Sequence, residues 1–219
     1  VVATLALARG MWRMASKNAL VERLGAVETL GATTVIVADK TGTLTENRMS
    51  LARLVLPSGE WEPSAGTSPG EDIIEALTVA VLCNDATLSG RDGGDPAAAV
   101  GDPTEIALLR AGGDAGLRRE ELLERLPEVR EEAFDPDRKM MATVHRKDAN
   151  RFLYAVKGAP EAVAALAETV GDAAGNEAAL DDAAREHWLE QASRLAADGQ
   201  RVLALARKEE SRDNADPYA

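Results

Sequence analysis

Thr34-Val35-Ile36-Val37-Ala38-Asp39-Lys40-Thr41-Gly42-Thr43-Leu44-Thr45 is the stretch on which the reading of this chain turns. The apolar, β-branched run Thr33–Ala38 predicts a buried strand, and it delivers the carboxylate of Asp39 to its C-terminal tip. In an open α/β sheet that edge is where ligands bind. Gly42 lets the backbone fold tightly around a phosphate, and Lys40 can offset the charge that builds up as a phosphoryl group moves. The chemistry implied is a carboxylate nucleophile that accepts phosphate. The same residue types also fill ordinary polar turns, but so long a specified string behind an apolar run weighs against a plain turn.

Working outward, the segment before this stretch is helical and the one after it is a strand pair. Val21, Leu24, Val27 and Leu30 recur at helical spacing and Gly31 is placed to end that helix as a left-handed cap. Leu51–Leu56, the turn Pro57-Ser58-Gly59 and Glu60-Trp61 read as a hairpin. Ser68-Pro69-Gly70-Glu71 reads as a capping box with proline first in a helix that runs to Cys83. Ser89–Asp95 is rich in glycine and aspartate and reads as mobile. Helices are expected at Pro103–Ala111, stopped by Gly112-Gly113, and at Leu117–Leu126. Strands are expected at Val129–Phe134, Met140–Arg146 and Arg151–Val156, then helices at Pro160–Val170 and Asp181–Ala197. A last strand is Val202–Ala206, before a frayed polar tail from Glu209. Strands that follow one another without helices between them imply antiparallel pairing. The chain therefore divides into residues 1–48, an edge of a doubly wound α/β domain, and 49–219, an inserted α+β domain with an antiparallel sheet flanked by helices.

Composition narrows the function. Lys+Arg 25 against Asp+Glu 37 gives a net charge of −12, which argues against nucleic acid or an anionic membrane as partner, so an anionic ligand needs a locally basic pocket. The single Cys83 excludes an internal disulfide framework and reads as core packing. His145 and His187, far apart and without Cys partners, read as solvated or satisfied rather than as zinc ligands. No stretch reaches the roughly 18 apolar residues of a membrane helix. Val1–Ala8, followed by Arg9, Arg13 and Lys17, reads as the cytoplasmic stub of such a helix or as an ordinary amphipathic one.

Two segments of the second half carry further chemistry. Phe134-Asp135-Pro136-Asp137-Arg138-Lys139 sets an aromatic at a strand end with two cations beyond it; a purine gains roughly 1–3 kcal/mol from stacking on such a face, although a lone Phe before a turn is ordinarily a core residue. Lys157-Gly158-Ala159-Pro160-Glu161 puts a cation at a strand tip, a glycine that clears space, and a proline that opens a helix.

Asp39-Lys40-Thr41-Gly42-Thr43-Leu44-Thr45 resembles the phosphorylation signature of P-type (E1-E2) cation-transporting ATPases. Other landmarks resemble the same family in the same order, over residues 1 to about 208: Cys83-Asn84-Asp85, Gly101-Asp102-Pro103-Thr104-Glu105, the Phe134 stretch, Lys157-Gly158-Ala159-Pro160-Glu161 and Gln200-Arg201-Val202-Leu203-Ala204. The Lys-Gly-Ala-Pro-Glu motif is similar to that of the calcium- and proton-pump-like (type II) branch. The resemblance implies a HAD-like phosphorylation-domain fragment followed by a nucleotide-binding domain, on the cytoplasmic face of a membrane pump. It implies ATP and Mg²⁺ as ligands, with the pump's remaining domains and transmembrane helices as partners. By it, Asp39 is the phosphorylated residue, assisted by Lys40 and Thr41, with Asp39 and Thr41 as an incomplete magnesium site. Glu105, Phe134, Arg138, Lys139, Lys157, Gly158 and Arg201 are then the nucleotide contacts, and closure near Asn47-Arg48 carries the γ-phosphate to Asp39. Pro136 departs from relatives, which often carry an arginine there, leaving Arg138 or Lys139 to substitute. Further magnesium carboxylates and a catalytic lysine lie beyond the family's nucleotide domain, so this polypeptide is expected to bind nucleotide without turnover. A soluble phosphatase of the same superfamily would need a second Asp where Thr41 stands. An interaction domain would not require Glu105, Phe134, Lys157 and Arg201 together.

Overall fold

The computed structural model describes residues 2–88, 99–171, 176–211 and 216–218. The chain forms two compact units, Val1–Asn47 and Arg48–Ala219.

The first unit contains α1 (Val2–Ala15) and α2 (Leu24–Gly31). Gly31 lies inside α2 rather than beyond it, and the helix closes on Ala32 in a right-handed conformation, so the expected left-handed cap does not form. Residues 33–38 belong to no strand, against the expected one, and the apolar side chains stand in solvent: Val35, Ile36 and Val37 are 73%, 82% and 94% exposed. A strand exists only when neighbouring backbone accepts and supplies its hydrogen bonds, and among the described residues of this unit there is no other strand. The α/β sheet expected for residues 1–48 is accordingly not seen. Lys40–Leu44 form a single π-helical turn, with Gly42 at φ +73° and the Thr45 hydroxyl donating to the Lys40 carbonyl at 3.3 Å.

The second unit opens with a hairpin of β1 (Leu54–Leu56) and β2 (Gly59–Trp61), pairing Leu54 with Trp61 as its turn residues require. α3 (Glu71–Leu82) follows; its N-cap is Gly70, so Ser68 caps nothing and Pro69 precedes the helix. β3 (Thr87–Leu88) and β4 (Ala99–Val100) pair across residues 89–98, and the loop read as mobile, Ser89–Asp95, lies outside the described residues. α4 (Pro103–Asp114) runs through Gly112-Gly113 instead of stopping there. The reason is contact: a Cβ on Gly112 would stand 2.3 Å from Val81 Cγ2, so this glycine lets α4 approach α3. α5 (Arg119–Arg125) leads into β5 (Glu128–Asp135), β6 (Met140–Arg146) and β7 (Phe152–Gly158). α6 (Pro160–Leu166) is shorter than expected and gives way to a ribbon of β8 (Thr169–Gly171) and β9 (Glu177–Ala179). α7 (Asp182–Ala197), capped by the Asp181 carboxylate, and β10 (Ala204–Glu210) complete the unit.

The main sheet runs β10-β7-β6-β5, antiparallel throughout, as the succession of strands required. Helices cover both faces, so β6 is buried along nearly its whole length rather than on alternate residues. Met141 and Ala155 face one way, into Val81, Leu82, Leu109 and Leu122 of α3, α4 and α5. Met140, Ala142 and Val156 face the other, against Val163 of α6. Leu54 and Trp61 of the hairpin pack on Ile73 and Leu77 of α3 and Ala111 of α4. The tail read as frayed is engaged: Pro217 is buried and Tyr218 packs on the Met140 cluster.

Among the described residues no helix is long and apolar enough to cross a membrane.

Candidate functional site

Strand register decides which of the sequence motifs meet. Lys157 pairs with Met141 across β6 and with Leu205 on β10. On the far side of β6, the pairing shifts between Glu132 and Asp135, which leaves Ala133 and Phe134 together opposite Met141. This is a β-bulge, a device that re-aims side chains beside functional sites. Phe134, Met141, Lys157 and Leu205 thus form one row across four strands, with Phe134 about 10 Å from Lys157 by strand spacing. Phe134 is 58% exposed, a costly placement for a large aromatic in a chain with only two phenylalanines.

Lys157 itself is buried. Its ammonium donates to Glu105 Oε1 at 2.6 Å and to the Cys83 carbonyl at 2.6 Å, with both side chains of the ion pair largely shielded from water. Glu105 comes from the first turn of α4, and Cys83 from the C-cap of α3. Asn84 ties these ends together: fully buried, it donates to the Glu105 carbonyl at 3.1 Å and accepts from the Ala86 amide at 2.9 Å. Across from Ala86, Gly101 sits at φ +137° and a Cβ there would fall 2.6 Å from Ala86 Cβ, so glycine is required by both conformation and space. Burial pushes the Cys83 thiol up to about 12, against the lowering effect of the Lys157 charge, so it stays a packed, uncharged group.

α4 begins on a cap that the sequence carried unrecognised. Asp102 Oδ1 accepts from the Thr104 amide at 2.8 Å, and Asp102-Pro103-Thr104-Glu105 has the spacing of a capping box with proline at the first helical position. Partial burial would raise the Asp102 carboxyl, but the Thr104 hydroxyl and amide, the Arg201 charge and the Glu105 amide together hold it below its usual range. The Arg201 charge thus acts on the cap that starts α4.

The two cations after Phe134 are partnered by carboxylates. Arg138 meets Asp216 Oδ1 at 3.4 Å and lies 5.1 Å over the ring of Tyr218, and Lys139 meets Glu161 at 3.0 Å. The tail contact to Arg138 had no signal in the sequence, because Asp216 and Tyr218 stand more than seventy positions away, outside any motif. The turn that holds the two cations is tight: Asp135 Oδ1 accepts from the Asp137 and Arg138 amides, and Lys139 adopts φ +55°. Gly158 clears space here for the neighbouring backbone and Met140. A Cβ on it would stand 2.5 Å from Met140 Cγ and 2.6 Å from the Lys139 carbonyl, which accepts from the Ala159 amide.

In the first unit Asp39 is exposed immediately before the π-helical turn, Lys40 is exposed at its start, and Thr41 lies between Lys40 and Gly42 in that turn. His145 is satisfied, as one of its two sequence readings held: Nδ1 donates to the Leu126 carbonyl at 3.1 Å, which fixes the tautomer, and Nε2 accepts from the Thr143 hydroxyl at 2.8 Å. His187 sits edge-on to Trp188 on α7.

Sheet, helix layers and the buried Glu105–Lys157 cluster together define a small α+β domain of one recognisable class. A family model described as "P-type ATPase, cytoplasmic domain N" matches residues 72–219. The chain belongs to the P-type ATPase family. It is 37% identical to a cation-transporting ATPase, pma1, of Synechocystis, over 94% of this chain and 24% of that protein. It is 40% identical to the probable cation-transporting ATPase F of Mycobacterium bovis, over 92% of this chain and 23% of that protein. Against the calcium-transporting ATPase lmo0841 of Listeria monocytogenes it is 38% identical over 73% of this chain and 18% of that protein. The chain thus spans about a quarter or less of the length of these curated relatives.

Proposed function

We propose that this chain is the cytoplasmic catalytic segment of an ATP-driven cation pump, in which the Arg48–Ala219 unit holds ATP and Asp39 accepts its γ-phosphate. The observation that carries the reading is the exposed Phe134 in the same sheet row as the buried Glu105–Lys157 pair, in a chain of this family. An exposed ring at a bulge offers a stacking face to adenine. The Glu105 carboxylate is an acceptor for the exocyclic amine, and its 2.6 Å contact with Lys157 holds it in place. Arg201, Arg138 and Lys139 are the cations within this unit that phosphates would engage.

At Asp39 the chain supplies a carboxylate nucleophile at an exposed turn, with Gly42 at positive φ and Lys40 adjacent in sequence. Attack by a carboxylate oxygen on the γ-phosphorus would form an acyl phosphate and release ADP; positioning and charge stabilisation dominate such transfers. Mg²⁺, when bound through Asp39 and Thr41, would supply neutralisation of the phosphate charge. The absence of a second aspartate where Thr41 stands removes the acid/base group that a phosphatase would use for rapid hydrolysis, and favours a lasting acyl phosphate. Residues 33–38, apolar and exposed here, fit a strand of a HAD-like sheet that finds its pairing partners elsewhere in the pump.

ATP titration followed by backbone amide NMR shifts tests the nucleotide reading. Phe134→Ala should leave the spectrum folded, since the ring is mostly exposed, and should weaken ATP about tenfold or more. ATP affinity unchanged in that variant would remove Phe134 from the site, and no shifts at all would return the unit to the class of protein-interaction domains.

A further inference from the structure

Arg138 is half-exposed, and the segment that holds its side chain is the tail. Asp216 Oδ1 meets the Arg138 guanidinium at 3.4 Å and also accepts from the Tyr218 amide at 3.0 Å, while the Tyr218 ring lies 5.1 Å beneath the guanidinium carbon. The tail is anchored independently of this pair, because Pro217 is buried and Tyr218 packs on the cluster of Met140, Ala142, Val156 and Val163. The Tyr218 amide, followed by the Arg138 charge, holds the Asp216 carboxyl below its usual range against the opposing effect of burial, so it is ionised at neutral pH.

The backbone of the Arg138 turn does not need the tail. Asp135 Oδ1 accepts from the amides of Asp137 and Arg138, the Lys139 amide donates to the Asp135 carbonyl at 2.6 Å, and the Lys139 carbonyl accepts from the Ala159 amide at 2.9 Å. Asp216 and Tyr218 therefore fix only the head of the Arg138 side chain, and the charge it presents. A carboxylate and a nucleotide phosphate seek the same guanidinium by the same charge-assisted hydrogen bonds.

On the reading that this unit binds ATP, we propose that Asp216 is an intramolecular competitor for Arg138, a specificity-determining residue that sets how much nucleotide phosphate contributes to binding. Phosphate must displace the carboxylate to reach Arg138, while the ring of Tyr218 keeps the guanidinium in place. A nucleoside without phosphate does not encounter this competition.

The test is titration of the 219-residue chain with ATP and with adenosine, read by amide NMR shifts. Asp216→Asn should tighten ATP about two- to fivefold, the range of an exposed ion pair, and leave adenosine unchanged. In an Arg138→Gln background the same substitution should have no effect on ATP. Weaker ATP binding in Asp216→Asn, an equal change for adenosine, or the same gain without Arg138 would each overturn the proposal. If ATP binds the parent chain and Phe134→Ala weakens it, yet Asp216→Asn alters nothing, the competitor is refuted and the nucleotide site stands. If ATP does not bind the parent chain at all, the nucleotide reading falls and takes the competitor with it.

Discussion

Lys157 Nζ lies 2.6 Å from Glu105 Oε1, in an ion pair whose side chains keep only 9% and 13% of their exposure. A strand-end lysine that the sequence offers as a free cation is thus committed to a carboxylate from α4 and to the Cys83 carbonyl. The pair joins three elements (α3, α4 and β7), so it is structural as well as chemical.

Breaking this pair from one side should be costly. Lys157→Ala strands the Glu105 carboxylate and the Cys83 carbonyl, and a loss of roughly 3–5 kcal/mol is expected for an uncompensated buried charge. Lys157→Met combined with Glu105→Gln should recover most of it, because no lone charge remains. Urea unfolding of the single and double variants measures both. A single variant within about 0.5 kcal/mol of the parent would show that the pair is solvated.

Adjacent glycines in α4 should respond with opposite signs. Gly112→Ala drives a methyl into Val81 Cγ2, 2.3 Å away, and should destabilise by about 1–3 kcal/mol despite the gain in helix propensity. Gly113→Ala meets nothing within 4 Å and should stabilise by about 0.5–1 kcal/mol. Thermal melts of the two variants decide the matter; shifts in the same direction would contradict the packing described.

Acid should weaken the second unit through His145. Burial depresses its pKa to about 4 from the ordinary 6.5, against a hydrogen bond to Leu126 that pulls the other way. The unfolded chain therefore takes up this proton first, so the stability contribution is complete above about pH 6.5 and is lost as pH falls towards 4. The total at stake is about 3 kcal/mol. His145→Gln should flatten the difference in unfolding free energy between pH 7 and pH 4.5. An unchanged slope would assign acid sensitivity to carboxylates instead.

The Asp102 cap should matter to α4 as a hydrogen bond more than as a charge. Asp102→Ala is expected to cost about 1 kcal/mol and Asp102→Asn only a fraction of that. Unfolding midpoints at neutral pH give the comparison. Equal losses would mean that the charge facing Arg201 is the larger contribution.

Local chemistry is what the residues alone conveyed. Alternation and turn residues located the hairpin Leu54–Trp61, the strands at 128–135, 140–146 and 152–158, and α7, because those signals are read over a few neighbouring positions. The string around Asp39 and the motifs at Glu105, Phe134 and Lys157 carried the family in the same local way. Long-range contact settled the rest. Whether Gly112 ended a helix or let two helices touch depended on Val81, thirty-one residues earlier, and whether Lys157 was free depended on Glu105. Residues 33–38 have every strand preference yet stay unpaired, since propensity selects a conformation but only a neighbouring strand can satisfy its backbone. A carboxylate at Asp216 reached Arg138 solely because Pro217 and Tyr218 found an apolar seat on the sheet, and burial of that kind is a property of the assembled core rather than of any segment within it.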